Sequence, residues 1–258
     1  MNWSNSIDEP QIIAEEKDFL VVYKPSRMHS APMTKSSSDN ILLKWCIEIF
    51  PEIAGLPGMK AGEGGLLHRL DYETQGLVLV ARSLLGIDAL LAQQREGKII
   101  KGYSALVSQR HDLLPGFPLV RPELPPSALS GKADLSEPFW IKSAFRPYGP
   151  GRKAVRPVLF ETLPDENKLK RYETEIPEIK TLSQGVISLH LRISKGFRHQ
   201  IRCHLAWLGM PILNDSVYGG SVYGNGLLAL RATSLLFNDP STGQERSYSI
   251  PALGLDEI

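Results

Sequence analysis

The sequence LLHRLDYETQGLVLVA, residues 66–81, places a polar turn between two apolar runs. Residues 66–70 and 77–81 have the length and composition of strands, and the DYETQG between them is rich in turn-forming residues. We therefore predict two strands joined by this turn. The turn carries the carboxylate of Asp71, which could act as a nucleophile or simply accept backbone hydrogen bonds, the commoner role of an aspartate in a turn. The position alone leaves both interpretations open.

Short apolar runs and helical stretches continue on both sides of this segment. Ser83 is predicted to cap a helix that Gly97 ends, and Asp39 to cap a helix over residues 41–50 that Pro51 ends. Further strands are predicted at residues 19–23, 100–107 and 186–193, and a third helix at residues 197–208. The mixture indicates an α+β or mixed α/β fold.

Two segments dense in proline or glycine interrupt these elements. Residues 51–65 form a loop that leads into the 66–81 segment, and residues 113–138 form a Pro-rich connection. Because strand-like sequence resumes afterwards without a change in composition, we predict an insertion within one domain. The whole chain, residues 1–258, is therefore predicted to form a single domain.

Composition excludes several classes of protein. The 258 residues include 29 Lys and Arg against 28 Asp and Glu, a net charge of +1, and 42% of them are hydrophobic. A disordered tail, a collagen and a histone-like basic protein do not have this composition. The polar start, and the lack of any sequence run of about 18 apolar residues, argue against a secretory signal and a membrane span. We expect a cytoplasmic protein.

The near-neutral total conceals a basic region. Residues 182–238 contain five basic residues and one acidic residue, a net charge of +4, so the rest of the chain sums to −3. A local excess of this kind predicts one anion-facing surface. The two cysteines, Cys46 and Cys203, lie far apart without C-x-x-C spacing. We expect buried, reduced thiols and neither a zinc site nor a disulfide.

Two more segments carry side chains suited to chemistry. KGYSALV, residues 101–107, places Tyr103 in a predicted strand, where its ring can pack while its hydroxyl reaches a polar partner. SKGFRHQIRCHLAWLGMPILND, residues 194–215, supplies guanidinium groups that suit carboxylate or phosphate. Arg198 and Arg202 lie four apart on the predicted helix, where like charges repel unless an anion lies between them. Two solvated arginines are the alternative.

Together, the three segments resemble the RluA-type pseudouridine synthases. The matching motifs are H-R-L-D at residues 68–71 with Thr74 and Gly76, K-G-Y-S-A at 101–105, H-Q-I-R-C-H at 199–204 with Leu208, Gly209, Pro211, Ile212 and Asp215, V-V-Y-K-P at 21–25, and Leu235, Phe237 and Pro240. They cover nearly the whole chain in the family's order, which makes the set highly specific. The resemblance implies an α+β fold with a mixed, largely antiparallel sheet, flanking helices and a central cleft.

The resemblance also implies a reaction, the isomerisation of uridine to pseudouridine in ribosomal or transfer RNA without a cofactor or a metal. The base is detached from C1′ of the ribose, turned, and rejoined through C5. By motif, Asp71 is the implied nucleophile, Tyr103 stacks on the target base and is the candidate base, and Arg202 holds Asp71 ionised. A uridine inside a helix must be flipped out to reach such a site, and an aromatic ring offsets part of that cost.

Further RNA contacts are expected from polar side chains in the same motifs. They are His68, Arg69, Thr74, Lys101, Lys195, Arg198, His199 and Gln200. Phosphate suits the cations among them, although each could instead be a solvated surface charge. The expected partner is RNA, without membrane contact, and the family comparison suggests a monomer.

Three departures from the family pattern lie close to these motifs. Phe197 followed by Arg198 stands where Arg followed by Thr, Ser or Lys is usual, Gln75 stands where Ser is usual, and Arg231 stands where His is usual. The implied catalytic set is intact, so we expect an active enzyme with an unusual substrate-facing surface. Many relatives carry an amino-terminal RNA-binding module of the S4 type. Because residues 19–25 already match the catalytic region, none is expected here.

Two other classes of function compete with this interpretation. A non-catalytic RNA-binding protein could retain the fold after the change at Phe197 and Arg198. A glycoside hydrolase also acts at an anomeric carbon, but it usually needs two opposed carboxylates, and Glu73 is the one acid close to Asp71 in sequence.

Overall fold

The computed structural model describes residues 8–32, 40–58, 63–125, 128, 134–160 and 170–258. The chain divides into two compact units. The first comprises Met1–Gly102 and Arg231–Ala252, and the second comprises Tyr103–Leu230 and Leu253–Ile258.

The described residues form ten strands and three α-helices, an α+β composition as predicted. The strands are β1 (Gln11–Glu15), β2 (Phe19–Lys24), β3 (Gln75–Ala81), β4 (Ile100–Ser108), β5 (Asp134–Tyr148), β6 (Ala154–Val158), β7 (Tyr172–Thr181), β8 (Val186–Ile193), β9 (Leu230–Asn238) and β10 (Glu245–Ser249). The helices are α1 (Leu42–Ile49), α2 (Leu84–Glu96) and α3 (Gln200–Leu208). No helix within the described ranges is long and apolar enough to cross a membrane.

The first unit is built on β2 and β3, whose residues are buried throughout. β1, β2 and β3 are antiparallel neighbours, and β9 pairs in parallel with β3 and antiparallel with β10. Phe19, Leu77, Leu79 and Phe237 pack in the core. An uninterrupted apolar run such as residues 77–81 of β3 is typical of a strand covered on both faces. The parallel pair makes the sheet mixed, as the resemblance implied.

The second unit is an antiparallel arrangement with one helix against it. β5 pairs with both β6 and β7, and β7 pairs with β8. α3 lies against β6 and β7, and its residues from Gln200 to Trp207 are buried. A helix buried this completely needs internal partners for its polar side chains.

The sequence correctly predicts α2 and its ends. Ser83 accepts a hydrogen bond from the Gly86 N–H at 2.9 Å, and its hydroxyl also donates to Asp18. Gly97 ends the helix with a left-handed backbone at φ 74°. Ser83 therefore satisfies one of the N–H groups that the first turn of a helix leaves without a partner.

Replacing Ser83 with Ala should lower the free energy of unfolding by about 1 kcal/mol, because the Gly86 N–H loses its acceptor. Urea unfolding measures the change. Ser247→Ala, at an exposed serine of β10, is the matched control and should change stability by less than about 0.5 kcal/mol. Equal losses in the two variants would show that the cap contributes nothing special.

Two local predictions are wrong, each for an identifiable reason. Residues 66–70 are irregular apart from a single bridge between Leu66 and Val80, because side-chain hydrogen bonds replace a strand ladder there. α3 begins at Gln200 rather than at residue 197, since His199 has a left-handed backbone at φ 57°. Arg198 therefore precedes α3 and does not share a helix face with Arg202.

The first helix and the cysteines agree with the sequence analysis. α1 covers Leu42–Ile49 of the predicted residues 41–50, and the proposed cap Asp39 lies outside the described residues. Cys46 and Cys203 are free and buried. Burial raises the pKa of Cys46 to about 12 and also raises the pKa of Cys203, so both thiols stay protonated at neutral pH.

Candidate active site

Asp71 lies half-buried in the turn that leads into β3. The turn is closed by the Thr74 N–H, which donates to the Asp71 carbonyl at 3.1 Å. The preceding residue is fixed by Ser30, whose hydroxyl donates to the Leu70 carbonyl at 2.9 Å and accepts from the Leu70 N–H at 3.0 Å. These reciprocal bonds hold the backbone that carries Asp71 in one conformation, as precise catalysis requires.

A buried lysine supports the same turn. The Nζ atom of Lys24 donates to the carbonyl oxygens of Pro25 and Met28 at 2.8 Å and of Tyr72 at 3.4 Å. Burial lowers the pKa of Lys24 to about 7, and the carboxylates of Asp71 and Glu73 oppose that fall. The sequence analysis gave Lys24 no role, although a lysine that ends a strand of buried apolar residues was a usable signal.

His68 is held in a defined neutral form. Its Nε2 accepts from the Leu79 N–H at 3.1 Å, so the proton is carried by Nδ1. Burial, and then the charge of Lys101, lower the pKa of His68 to about 3. Lys101 is itself buried, which lowers its pKa to about 8. The structure thus places Lys101 in the interior of the first unit and leaves His68 partly buried.

Three buried polar side-chain atoms in the described part of the chain have no hydrogen-bond partner. They are His68 Nδ1, Thr74 Oγ1 and Gln75 Nε2. All three belong to residues 68–75, the segment that contains Asp71. Leaving such an atom without a partner costs about 1–3 kcal/mol, and a ligand or water usually supplies the missing bond. The segment that contains Asp71 therefore holds three buried polar atoms whose hydrogen-bonding capacity the described residues do not use.

The departures from the family pattern at Gln75 and Arg231 are linked, because the two side chains contact each other. The two residues are direct partners on the parallel strands β3 and β9, and both are buried. Arg231 donates through Nε and Nη2 to Gln75 Oε1 at 3.3 and 3.1 Å, and the Tyr23 hydroxyl donates to the same oxygen at 2.7 Å. The longer side chain at residue 75 thus supplies the acceptor for the guanidinium opposite it.

Arg69 is the most exposed side chain of the H-R-L-D motif. Its Nη1 lies 2.8 Å from Oε1 of Glu63, and about half of the Arg69 side chain is accessible to solvent. It is therefore available for contact with a ligand of the first unit, as the sequence analysis expected of a phosphate-binding residue.

In the second unit, Arg202 forms a bidentate ion pair with Asp215. Nε and Nη2 of Arg202 lie 2.7 and 2.8 Å from the two carboxylate oxygens, and both side chains are buried. Oδ1 of Asp215 also accepts from the N–H groups of Val217 and Tyr218 at 3.1 Å. The motif had identified Asp215 without a function, and the geometry shows that it orients Arg202. Pairing of Arg202 with Asp71 stays a prediction.

Gln200 and His204 attach α3 to the strands beneath it. Gln200 donates to the Glu173 carbonyl at 2.9 Å and accepts from the Phe197 N–H at 3.0 Å. His204 lies between the hydroxyls of Thr174, 2.8 Å from Nδ1, and Ser143, 2.9 Å from Nε2. Gln200, expected from the motif to contact RNA, is thus buried with its amide engaged inside the unit.

His204 should make the protein less stable in acid. Burial lowers the pKa of His204 from 6.5 to about 3. Between these values the unfolded state binds more protons than the folded state, so the free energy of unfolding falls by about 1 kcal/mol per pH unit as the pH drops below 6.5. Above pH 6.5 the effect disappears.

Urea unfolding between pH 7.5 and pH 4.5 measures this slope. His204→Gln should remove about 1 kcal/mol per pH unit from the slope, whereas His111→Gln, at an exposed histidine, should change the slope by much less. A slope in His204→Gln equal to that of the unmodified protein would contradict the buried neutral form.

Three of the remaining residues, Phe197, His199 and Lys195, lie just before α3. Phe197 stacks on Phe145 with ring centroids 5.0 Å apart, so the residue that replaces the family's arginine contributes to packing. The His199 ring meets the edge of Tyr218, and Lys195 is exposed. Tyr103 is buried on β4. Among the described residues, no group of three or more His, Cys, Asp or Glu side chains is placed to hold a metal ion.

Comparison with solved structures defines the class of fold. The human RNA pseudouridylate synthase domain containing 1 superposes with a TM-score of 0.62 at 22% identity, covering 96% of this chain and 85% of that one. The human domain containing 4 gives a TM-score of 0.60 at 16% identity, covering 95% and 89%. The fold is that of pseudouridylate synthases.

Sequence comparison then identifies the family. The model of the RNA pseudouridylate synthase family matches residues 18–207, and the chain belongs to this family, in its RluA-type branch. The ribosomal large subunit pseudouridine synthase D of Vibrio parahaemolyticus is 24% identical over 93% of the chain, and that of Haemophilus ducreyi is 27% identical over 82%. The chain spans 66% and 55% of the lengths of these relatives.

Proposed function

We propose that this chain is an RNA pseudouridine synthase that converts specific uridines of RNA to pseudouridine. Family membership supports the reaction class. The observation that carries the proposal is the segment 68–75, where Asp71 sits in a fixed turn beside three buried polar atoms that have no partner among the described residues. Such atoms suit a polar ligand such as a uracil ring with its ribose.

The proposed reaction uses Asp71 as the nucleophile. Its carboxylate attacks C1′ of the ribose, and the bond between C1′ and N1 breaks with its electron pair going to the base. The detached uracil turns, C5 bonds to C1′, and the carboxylate is released. C5 then loses its proton to a base, for which Tyr103 is the candidate, and N1 takes up a proton. In the glycal alternative, a base, for which Tyr103 is again the candidate, removes the C2′ proton as the bond between C1′ and N1 breaks, and C2′ regains a proton when C5 bonds to C1′. The product is an isomer of the substrate, so no co-reactant is consumed.

The substrate we propose is ribosomal RNA of the large subunit, because the named relatives act there. We also propose that the two units work as one catalytic domain, that the protein is a monomer and that it acts in the cytoplasm. Arg202, held by Asp215, is proposed to stabilise the carboxylate of Asp71. The exposed Arg69 and Lys195 are proposed phosphate contacts.

Release of tritium from RNA labelled at C5 of uridine tests the function, because isomerisation exchanges that hydrogen with water. We expect release from ribosomal RNA, and pseudouridine mapping in cells with and without the protein should identify the modified position. RNA binding without tritium release from any of a broad set of transcripts would instead support the non-catalytic alternative. Release of free uracil would indicate glycoside hydrolysis.

A further inference from the structure

The hairpin formed by β5 and β6 in the second unit has a charge pattern that the motifs do not explain. Residues 142–156 contain five basic residues and no acidic residue. The five are Lys142, Arg146, Arg152, Lys153 and Arg156. Among the described residues, Lys142 alone of these has a carboxylate partner, Glu173 at 3.4 Å. The other four residues make this end of the hairpin strongly positive.

The strand register places two of these charges directly opposite each other. Arg146 and Arg156 are cross-strand partners in the antiparallel pair, an arrangement in which like charges repel. Their guanidinium carbons lie 5.4 and 4.3 Å from the centroid of the Tyr148 ring, which offsets part of the repulsion. An anion bound near Arg146 and Arg156 would offset the remaining repulsion between the two guanidinium groups.

Both guanidinium groups are held in place by backbone carbonyls. Arg156 donates to the carbonyls of Pro115 at 2.8 Å and Val155 at 2.9 Å. Arg146 donates to the carbonyl of Gly116 at 3.0 Å. The repulsive pair is therefore built into the fold, since these bonds prevent the two groups from moving apart. Fixed cations of this kind bind an anion with little loss of side-chain entropy.

The turn between the strands faces a cavity of about 480 Å³, lined by Tyr148, Gly149, Pro150, Gly151, Lys153, Ala154 and Arg156. Gly149, Gly151 and Arg152 all have a positive φ, of 77°, 64° and 54°. A Cβ atom added at Gly149 would meet no atom within 4 Å, so space for a ligand lies above the turn. The left-handed arginine is strained, as residues at ligand sites often are.

The unusual Arg198 connects this turn to the third motif. Its Nη2 donates to the carbonyls of Arg152 at 2.6 Å and Ala154 at 3.2 Å. Arg198 lies just before α3, which carries Arg202. The departure from the family pattern at Arg198 thus serves to fix the hairpin end to the loop that precedes α3.

We propose that this hairpin end, the surface formed by Arg146, Tyr148, Arg152 and Lys153, binds the phosphodiester backbone of the RNA outside the target nucleotide. The inference rests on the proposed function only in taking RNA as the partner. Three exposed cations, Arg146 at the end of β5 and Arg152 and Lys153 in the turn, suit the repeated phosphates of a polynucleotide better than a single small anion. The contact would add affinity without touching the reacting base.

RNA binding by the full chain tests the inference. The variant Arg152→Gln with Lys153→Gln removes two exposed charges from the hairpin end, and Arg95→Gln with Lys98→Gln removes two exposed charges from the end of α2 as the matched control. Fluorescence anisotropy with a fluorescein-labelled RNA stem-loop containing uridines in its loop gives Kd over a series of salt concentrations. Thermal melting confirms that each variant is folded.

The hairpin variant should raise Kd by about tenfold at moderate salt and reduce the slope of log Kd against log salt by roughly 1 to 2. The kcat for tritium release at saturating RNA should stay within about twofold, since no reacting atom is involved. Lys153→Glu should weaken binding further than Lys153→Gln. Kd and slope in the hairpin variant equal to those of the control would overturn the inference.

These results separate the inference from the proposed function. A protein whose RNA binding depends on the hairpin but which releases no tritium would support this surface and contradict the enzyme. Tritium release by the unmodified protein, together with an unchanged Kd for RNA in the hairpin variant, would support the enzyme and contradict this RNA-binding surface. A protein that fails to bind RNA would overturn both.

Discussion

Asp71→Asn should reduce tritium release from uridine-labelled RNA by at least about 10³-fold while leaving the protein folded. Asparagine has nearly the same shape as aspartate, so the Ser30 and Thr74 contacts of the turn backbone can persist. It lacks the negative charge that attack on C1′ requires. The free energy of unfolding should change by less than about 1 kcal/mol, because the side chain is half-buried in a turn.

Asp88→Asn is the matched control, since it makes the same chemical change at an exposed residue of α2 in the first unit. It should release tritium at the rate of the unmodified protein. RNA binding measured alongside separates loss of chemistry from loss of substrate. Equal tritium release by Asp71→Asn and the unmodified protein would exclude Asp71 as the nucleophile.

The elements that the sequence predicts well are those defined by neighbouring residues. β2 follows from its run of apolar residues, β8 from the alternation over residues 186–193, and α2 from Ser83 and Gly97 at its ends. In each element the deciding interactions lie within a few residues of one another, so a local pattern contains the information.

The wrong predictions depend on contacts between distant residues. Leu70 is kept out of a strand by Ser30, which lies 40 residues earlier in the chain. The backbone at His199 delays the start of α3, although the apolar periodicity begins at Phe197, whose ring stacks on Phe145 instead. Periodicity cannot reveal such contacts, because the partner belongs to another element.

The candidate site was predicted as a set of residues but not as an arrangement. The motifs identified Asp71, Arg202 and Asp215, whereas the bidentate pair between the last two emerged from geometry. The sequence also could not show that three polar atoms at residues 68–75 lack a hydrogen-bond partner, because that depends on which atoms lie near them in the folded structure. The positive charge of the hairpin can be read from the sequence, because residues 142–156 hold a denser cluster of basic residues than residues 182–238, the region from which an anion-facing surface was predicted.

Substitutions in the buried ion pair between Arg202 and Asp215 should have a second large effect, and a suitable choice of variants separates their effect on stability from their effect on catalysis. A buried ion pair adds little net stability, because the cost of removing two charges from water cancels most of the attraction between them. Removal of one partner is costly, since it strands the other charge. The conservative test is Asp215→Asn, which keeps an oxygen to accept the Val217 and Tyr218 N–H bonds and removes only the charge.

Asp215→Asn should lower the free energy of unfolding by about 3–5 kcal/mol, measured by urea unfolding, and should also reduce tritium release because Arg202 loses its orientation. Glu178→Gln, which removes an exposed carboxylate beside His190, is the control and should cost less than about 1 kcal/mol. The double variant Arg202→Met with Asp215→Asn should recover most of the stability, since no charge is then buried and the Val217 and Tyr218 N–H groups keep their acceptor, yet remain inactive. Tritium release by the double variant would show that Arg202 has no part in the chemistry. A loss of unfolding free energy in Asp215→Asn no larger than that in Glu178→Gln would show that the charge of Asp215 is not needed to balance the buried Arg202.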